Sequence, residues 1–373
     1  MQILAIGDPH FKVDTLFDSE QYILKVESAI KSVGKLDSIV VLGDVLHTHE
    51  KIYTFAMNMA VRFLKMCSSF APTYVMVGNH DATSNTIFCG DNHWMNVLKF
   101  LDNITVVDKP TWIEHTKCLC VPYVTDGRFV ECLETFCGET EEEEEDEENS
   151  NSFGNLSKVG SPSANRFGWK KADIIFAHQL FNGAKMGAIV ATDVEDWHVK
   201  WPTIISGHIH DKQTPQPNLI YIGSSQQHAF GESEDKSLCL IRFSEHGNFQ
   251  LEDVYLDLKK KKIVYTSISE LASLKLKENV TYKIVLEDDD AKLKAFKKTA
   301  QYKQLSGMIN VKAVQCKVSD ARPTASETAK ASADFLTLLN DRVKKENDVF
   351  LQSYAESLLI GGEDLSTKDV VVL

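Results

Sequence analysis

From residue 2 to about residue 256 the chain alternates short apolar runs with longer amphipathic stretches. The runs at 3–6, 38–42, 73–77, 104–107, 119–121, 173–177, 203–206 and 219–222 are three to five residues long, the length of strands rather than helices. Between the first three lie the amphipathic stretches 19–33 and 52–67, which predict helices. Strands alternating with helices imply an α/β layer structure. The second half of this region is richer in strands, and 238–243 with 249–255 predicts a closing hairpin over His246-Gly247-Asn248. A two-sheet sandwich flanked by helices accommodates both halves.

Two segments interrupt the pattern. Residues 138–168 hold few large apolar side chains, open on an acidic run and continue with Asn, Ser, Gly and Pro, which predicts a surface insertion, either a plain solvated loop or a regulatory or DNA-mimicking segment. The lysine run 259–262 marks a boundary, after which 263–318 restarts as strand, helix, strand, helix, strand. The second helix there, around 289–302, carries Lys292, Lys294, Lys297 and Lys298, a basic face that is either merely solvated or turned to nucleic acid. Two further helices are expected at about 326–345 and 348–359, with apolar stripes of Phe335, Leu338, Leu339 and Val343, and of Phe350, Tyr354 and Leu358. These stripes either pack on each other or form a partner surface. The expected organisation is thus 1–258, 259–322 and 323–373.

The net charge of −13 argues against nucleic acid only until it is located: nine negative charges lie within 139–148, leaving −4 on the rest. Screening confines each field to roughly 8 Å at physiological salt, so a locally positive face remains compatible with this composition. The eight cysteines (67, 89, 118, 120, 132, 137, 239 and 316) form no Cys-x-x-Cys pair and are expected as reduced, mostly buried thiols. No apolar run approaches the ~20 residues needed to cross a bilayer, and the first residues lack the basic flank and cleavage site of a leader. An intracellular protein, cytoplasmic or nuclear, with no membrane partner is expected.

Five short motifs follow predicted strands: Asp8-Pro-His10, Gly43-Asp44, Gly78-Asn79-His80-Asp81, His178, and Gly207-His208-Ile-His210. The carboxyl ends of strands gather at one edge of an α/β sheet, so five separated segments should converge there. They supply carboxylate, imidazole and amide groups without thiolate, a donor set suited to manganese, iron or zinc. Two cations about 3.5–4 Å apart need one bridging ligand and about three terminal ligands each. Asp8, His10, Asp44, Asn79, His178, His208 and His210 meet that need.

In order and spacing the five motifs resemble those of the calcineurin-like metallophosphoesterase superfamily (D-x-H, GD, GNH followed by an acid, H, GHxH), over about residues 1–256. The resemblance implies a four-layered α/β sandwich with two divalent metal ions. It places Asp8, His10, Asp44 and His210 on one ion and Asp44, Asn79, His178 and His208 on the other, with Asp44 bridging. His80 would be the general acid or transition-state stabiliser, oriented by Asp81.

Within that superfamily the chain resembles the SbcD-type DNA-repair nuclease subunits and their phage recombination-endonuclease relatives. The residues that carry this are Gly43-Asp-Val-Leu-His47, whose histidine would place the DNA strand, Asp108-Lys-Pro110, Val121-Pro-Tyr, Asp126-Gly-Arg-Phe129, the glycines at 183 and 187, Tyr221-Ile-Gly-Ser-Ser225 and Phe230-Gly-Glu232. The implied activity is a manganese-dependent DNA exonuclease and endonuclease, with magnesium, iron or zinc as alternative ions. The implied partners are DNA, a coiled-coil ATPase of the SbcC type bound through the terminal helices, and a second copy of the chain docked through the two early helices. Residues 259–322 would form a small α+β capping domain. A phosphatase or small-molecule phosphodiesterase, or a non-catalytic scaffold of the same fold, are the alternatives.

Overall fold

The computed structural model describes residues 1–49, 51–86, 88–137, 168–244 and 248–318. Nearly all of the acidic insertion, and both helices expected after Pro323, lie outside the described residues. The chain divides into two compact units, one made of Met1–Val264, Lys275–Ile284 and Ser306–Ala313, the other of Tyr265–Leu274, Val285–Leu305 and Val314–Leu373.

The first unit is built on two six-stranded mixed sheets. Strands β1 (Gln2–Ile6), β2 (Ser38–Val41), β3 (Thr73–Met76) and β4 (Ile104–Val107) run parallel in one sheet. Helices α1 (Leu16–Val33) and α2 (Thr54–Ser68) make the first two crossovers. The second sheet holds β5 (Thr111–Trp112), β6 (Cys118–Val121), β7 (Ile174–Ala177), β10 (Thr203–Ser206), β11 (Gln213–Gln216) and β12 (Leu219–Tyr221), in the order β11-β12-β10-β7-β6-β5. Helix α3 (Phe129–Cys137) follows β6, and β8 (Lys185–Met186) with β9 (Ile189–Val190) forms a small separate ladder. The predicted hairpin is β13 (Ser237–Phe243) with β14 (Phe249–Tyr255), and β13 pairs antiparallel with β1.

Alternation along the central strands explains the layers. Ile3 and Ala5, Val40 and Leu42, Tyr74 and Met76 face one way, into a core shared with Cys118, Cys120, Ile174, Phe176 and Ile205 of the other sheet. Leu4 and Ile6, Ile39 and Val41 face the other way, packing with Tyr22, Val26, Phe63 and Leu64 of α1 and α2. Leu119, Val121, Ile175 and Ile204 turn outward from the second sheet onto Phe129, Leu133, Trp169 and Trp197. Because both faces of β2, β3, β6 and β7 are covered, every residue of these strands is buried, which is why they read as unbroken apolar runs. Strand β11 was not legible in this way: three of its four residues are polar, the fourth is Pro215, and it lies at a sheet edge, where a missing N–H costs no ladder bond.

Beyond this, β15 (Lys260–Thr266), β16 (Val280–Asp288) and β17 (Val311–Val318) form a three-stranded sheet in the order β15-β16-β17. The helix expected between the first two is only a 3-10 turn at Leu271–Ser273, of which Leu271 alone is buried, so there was no apolar face to extend it. The helix expected at 289–302 is broken into α4 (Asp290–Phe296) and α5 (Ala300–Ser306). Thr299 makes the break: its hydroxyl donates to the Phe296 carbonyl at 2.7 Å and accepts the Tyr302 N–H at 3.2 Å, capping the second helix. Of the basic face noted there, Lys292 is paired with Asp288 and Asp289, and Lys294 with Asp290, all within one turn, which favours the solvated alternative for these two.

Candidate dinuclear metal site

All five motifs leave the carboxyl ends of parallel strands: Asp8 after β1, Asp44 after β2, Asn79 after β3, His178 after β7 and His208 after β10. The structure therefore brings together the seven residues expected as ligands. Hydrogen bonds stitch the two sheet edges: the Tyr123 N–H donates to the Val77 carbonyl at 2.8 Å and the Ser225 N–H to the Gly7 carbonyl at 2.8 Å.

The backbone is bent hard to aim these side chains. Asp8, His10, Asp44 and His208 have φ of 40°, 47°, 49° and 74°, the left-handed region that costs an L-residue roughly 1–2 kcal/mol. Half of the eight non-glycine residues found there among the described residues are candidate ligands. Gly78 is required for a second reason, since a Cβ at that position would collide with the backbone nitrogen and Oδ1 of Asp44.

Two groups of donors emerge, each with ligand atoms within 4.8 Å of one another: Asp8, His10 and His210, and Asp44, His178 and His208. Asp44 faces both. Its Oδ2 lies 3.5 Å from His10 Nε2, while its Oδ1 lies 3.3 Å from His178 Nε2. Asn79 Oδ1 joins the second group, 3.0 Å from His178 Nε2 and 3.1 Å from His208 Nδ1. A third cluster, His10, His47 and His80, forms the more exposed side.

The imidazoles are oriented by bonds behind them. His178 Nδ1 donates to the Leu42 carbonyl at 2.6 Å, turning Nε2 to the site. His210 Nδ1 faces Glu232 Oε1 at 3.2 Å, turning its Nε2 toward His10 Nε2 only 3.1 Å away. Asp8 Oδ2 is fully buried with no hydrogen-bond partner. Facing imidazole nitrogens, two buried carboxylates and an orphaned carboxylate oxygen make a site that a divalent cation would complete.

The electrostatics agree. Burial opposes a charge on His178, yet Asp44 and Asp8 overcome it and push the imidazole up to about 9. Burial opposes ionisation of Asp44 as well, but His178 and His10 hold it well below the usual carboxylate range. Burial and the neighbouring His178 lower His208 to about 3, and burial carries His10 well below its ordinary value, so both are neutral donors. The carboxylates thus draw positive charge inward, while the imidazoles of His10 and His208 stay free to ligate.

His80 is 26% exposed and stands over Asp44. Its backbone N–H donates to Asp44 Oδ1 at 2.9 Å, and its Nδ1 donates to the His47 carbonyl at 2.6 Å, leaving Nε2 facing the site, 3.9 Å from Asp44 Oδ2. Asp81 does not reach the His80 ring. It accepts N–H groups from Val45, Leu46 and Gly78 and the indole N–H of Trp94, all at 2.9–3.2 Å, and so clamps the turn after β2 to the turn carrying Asn79 and His80. The expected contact of Asp81 with His80 is thus replaced by bonds to the backbone of the turn that carries it.

Three neighbours were not anticipated. His228 Nε2 donates to the Asp8 carbonyl at 2.7 Å, and its ring lies 4.8 Å from that of His10. His49 stacks on His80 at 4.2 Å, and Trp94 holds Asp81. His228 and His49 carry the signal used for the others, a histidine shortly after a strand end; Trp94 lies in a 3-10 segment and had none.

This sandwich, with an acid and imidazole cluster at the joined strand ends, defines a metallophosphoesterase. A profile of the calcineurin-like phosphoesterases matches residues 1–212, and the chain belongs to that family, whose members use divalent metals to hydrolyse phosphoesters. It is also similar to two viral proteins. One, named Putative phosphoesterase 078R, from Invertebrate iridescent virus 3, is 35% identical over 97% of each chain. The other, named Putative phosphoesterase 244L, from Invertebrate iridescent virus 6, is 38% identical over 80% of this chain and 97% of its own. Among the described residues no helix is long and apolar enough to cross a membrane.

Proposed function

We propose that this phosphoesterase is a DNA nuclease, cleaving phosphodiester bonds as the nuclease subunit of an ATPase–nuclease complex. The observation that carries the nuclease reading is His47: its Nδ1 lies 3.4 Å from His10 Nδ1 and its ring is stacked with His80 at 5.7 Å, a second half-buried imidazole at the mouth that phosphate-monoester hydrolysis does not require.

In this reading Asp8, His10 and His210 would hold one ion and Asn79, His178 and His208 the other, with Asp44 shared between them. The oxygen and nitrogen donors, without thiolate, suit manganese. Divalent cations held there would supply Lewis acidity, lowering the pKa of water and offsetting the negative charge of the phosphate under attack. His80 Nε2, freed by the bond from Nδ1 to the His47 carbonyl, carries a proton to the departing oxygen. His47 positions the strand.

The reading includes two protein partners, a second copy of the chain and a coiled-coil ATPase. Exposed Phe17 and Leu24 on α1 and Phe55 on α2 support docking of a second copy through these helices. The ATPase is assigned to the apolar stripes beyond Pro323.

The test is hydrolysis by the manganese-loaded chain of linear duplex DNA, bis(4-nitrophenyl) phosphate and 4-nitrophenyl phosphate, each with a chelator control. Chelator-sensitive cleavage of DNA and of the diester supports the nuclease. Turnover of the monoester alone favours the phosphatase alternative, and no manganese-dependent turnover of any substrate favours the scaffold.

A further inference from the structure

On the His228 side of the site, two ammonium groups meet at one carbonyl oxygen. Lys12 Nζ lies 3.4 Å and Lys261 Nζ 3.3 Å from the same acceptor, the His228 carbonyl, and Lys261 also donates to the Gln227 carbonyl at 2.7 Å. The imidazole of His228 touches the site itself, with its centroid 4.8 Å from that of His10 and 5.1 Å from that of His210. Both lysines are half-buried, and among the described residues neither has a carboxylate within ion-pair distance. Glu232, the nearby acid, is committed to His210 and Lys236. Burial and the Lys12 charge lower Lys261, with Lys312 adding to the repulsion and Asp18 and Glu232 acting against it. Lys261 also lines a cavity of about 320 Å³ whose wall carries Lys259, Asp18 and the ion pair of Lys25 with Asp257. Holding two like charges together, partly out of water, is costly unless an anion completes the arrangement.

We propose that Lys12 and Lys261 form an anion subsite for the phosphate next to the scissile one, so that the substrate is a strand of linked phosphates rather than an isolated phosphoester. This rests on the nuclease reading for the identity of the strand, but the subsite itself is tested separately. A terminal phosphate and an internal one share this chemistry, and a polyphosphate probe presents it without any base or sugar.

The experiment compares the full manganese-loaded chain with K12Q/K261Q and K12R/K261R, using a short oligothymidylate, bis(4-nitrophenyl) phosphate, and inorganic triphosphate as competitive inhibitor of the diester. In the glutamine variant the ratio of KM for the oligonucleotide to KM for the diester rises about tenfold, and triphosphate inhibition weakens by about as much. The slope of log affinity for the oligonucleotide against log salt falls by about 0.7, one single-strand phosphate contact. The arginine variant, which keeps the charge, returns all three to within about twofold of the parent. An unchanged ratio and unchanged triphosphate inhibition overturn the subsite, and so does a loss that arginine does not rescue, which would make the lysines loop supports for residues 226–228. If the parent cleaves the diester but no oligonucleotide, the nuclease reading fails; triphosphate inhibition then decides the subsite alone, weakened in the glutamine variant if it exists and equal if it does not.

Discussion

Asp44 and Asp108 occupy equivalent places, each the first acid beyond the end of a parallel strand of the same sheet, yet their surroundings differ in kind. Asp108, after β4, meets Lys99 Nζ at 2.5 Å and His93 Nε2 at 3.2 Å, and these two outweigh burial to hold it at about 2. Asp44, after β2, is more deeply buried and has no lysine or arginine within ion-pair distance among the described residues, only His10, His80 and His178. Asp44 also sits in the left-handed region, whereas Asp108 does not. A strand-end carboxylate matched by a lysine of its own chain is finished as it stands. One matched by imidazoles on strained backbone, beside an orphaned oxygen of Asp8, is built for a charge the chain does not supply.

Removing one carboxylate from each environment tests that distinction most sharply. Asp44→Asn should lower hydrolysis of bis(4-nitrophenyl) phosphate by roughly 10³-fold or more and reduce bound manganese, measured by metal analysis, whereas Asp108→Asn should leave both within about threefold. Similar losses in the two variants would erase the difference. His80→Ala separates metal binding from proton transfer at the same edge: kcat should fall by about 10²–10⁴-fold with metal content retained, and a loss of metal would return His80 to the ligand set. His47→Ala should be milder and selective, reducing exonuclease on duplex ends by about tenfold while single-strand cleavage falls less, because its proposed task is strand placement. Equal loss of both activities would remove that task.

The remaining two outcomes concern stability. Chelation should lower the melting temperature of the parent but not of Asp44→Asn, since a ligand present at 100 times its dissociation constant stabilises the folded state by about 2.7 kcal/mol. Asp108 gives the smallest effect. Its folded pKa of about 2 lies below the ~3.9 of an unfolded aspartate, so between those values the unfolded chain binds more protons. The stability it contributes is full above pH ~4 and is lost as pH falls through about 2; chemical denaturation should show this slope in the parent and a flatter one in Asp108→Asn.

Much of this molecule was legible before any coordinates. The eight apolar runs are strands because short, doubly covered strands need apolar residues on both faces, and the five motifs stand out because a dinuclear site needs acid, amide and imidazole donors delivered by tight turns. The less legible pieces lack such signals. Edge strand β11 has no apolar run, the break at Thr299 depends on one hydroxyl, and Trp94 reports on Asp81 only through an indole N–H from a separate segment.

The sequence by itself determined which residue types reach the strand ends, because strand length and apolar alternation set where each chain segment leaves its sheet. It did not show which side chains each carboxylate would meet. Asp44 and Asp108 both follow an apolar run, and only the folded chain brings Lys99 to one and His178, from the other sheet, to the other. The same holds for Lys12 and Lys261, separated by most of the chain and joined at the His228 carbonyl. Pairing of charges depends on distances of a few ångströms, and where the partners are remote in sequence, as Asp44 and His178 are, those distances exist only after the two sheets have packed.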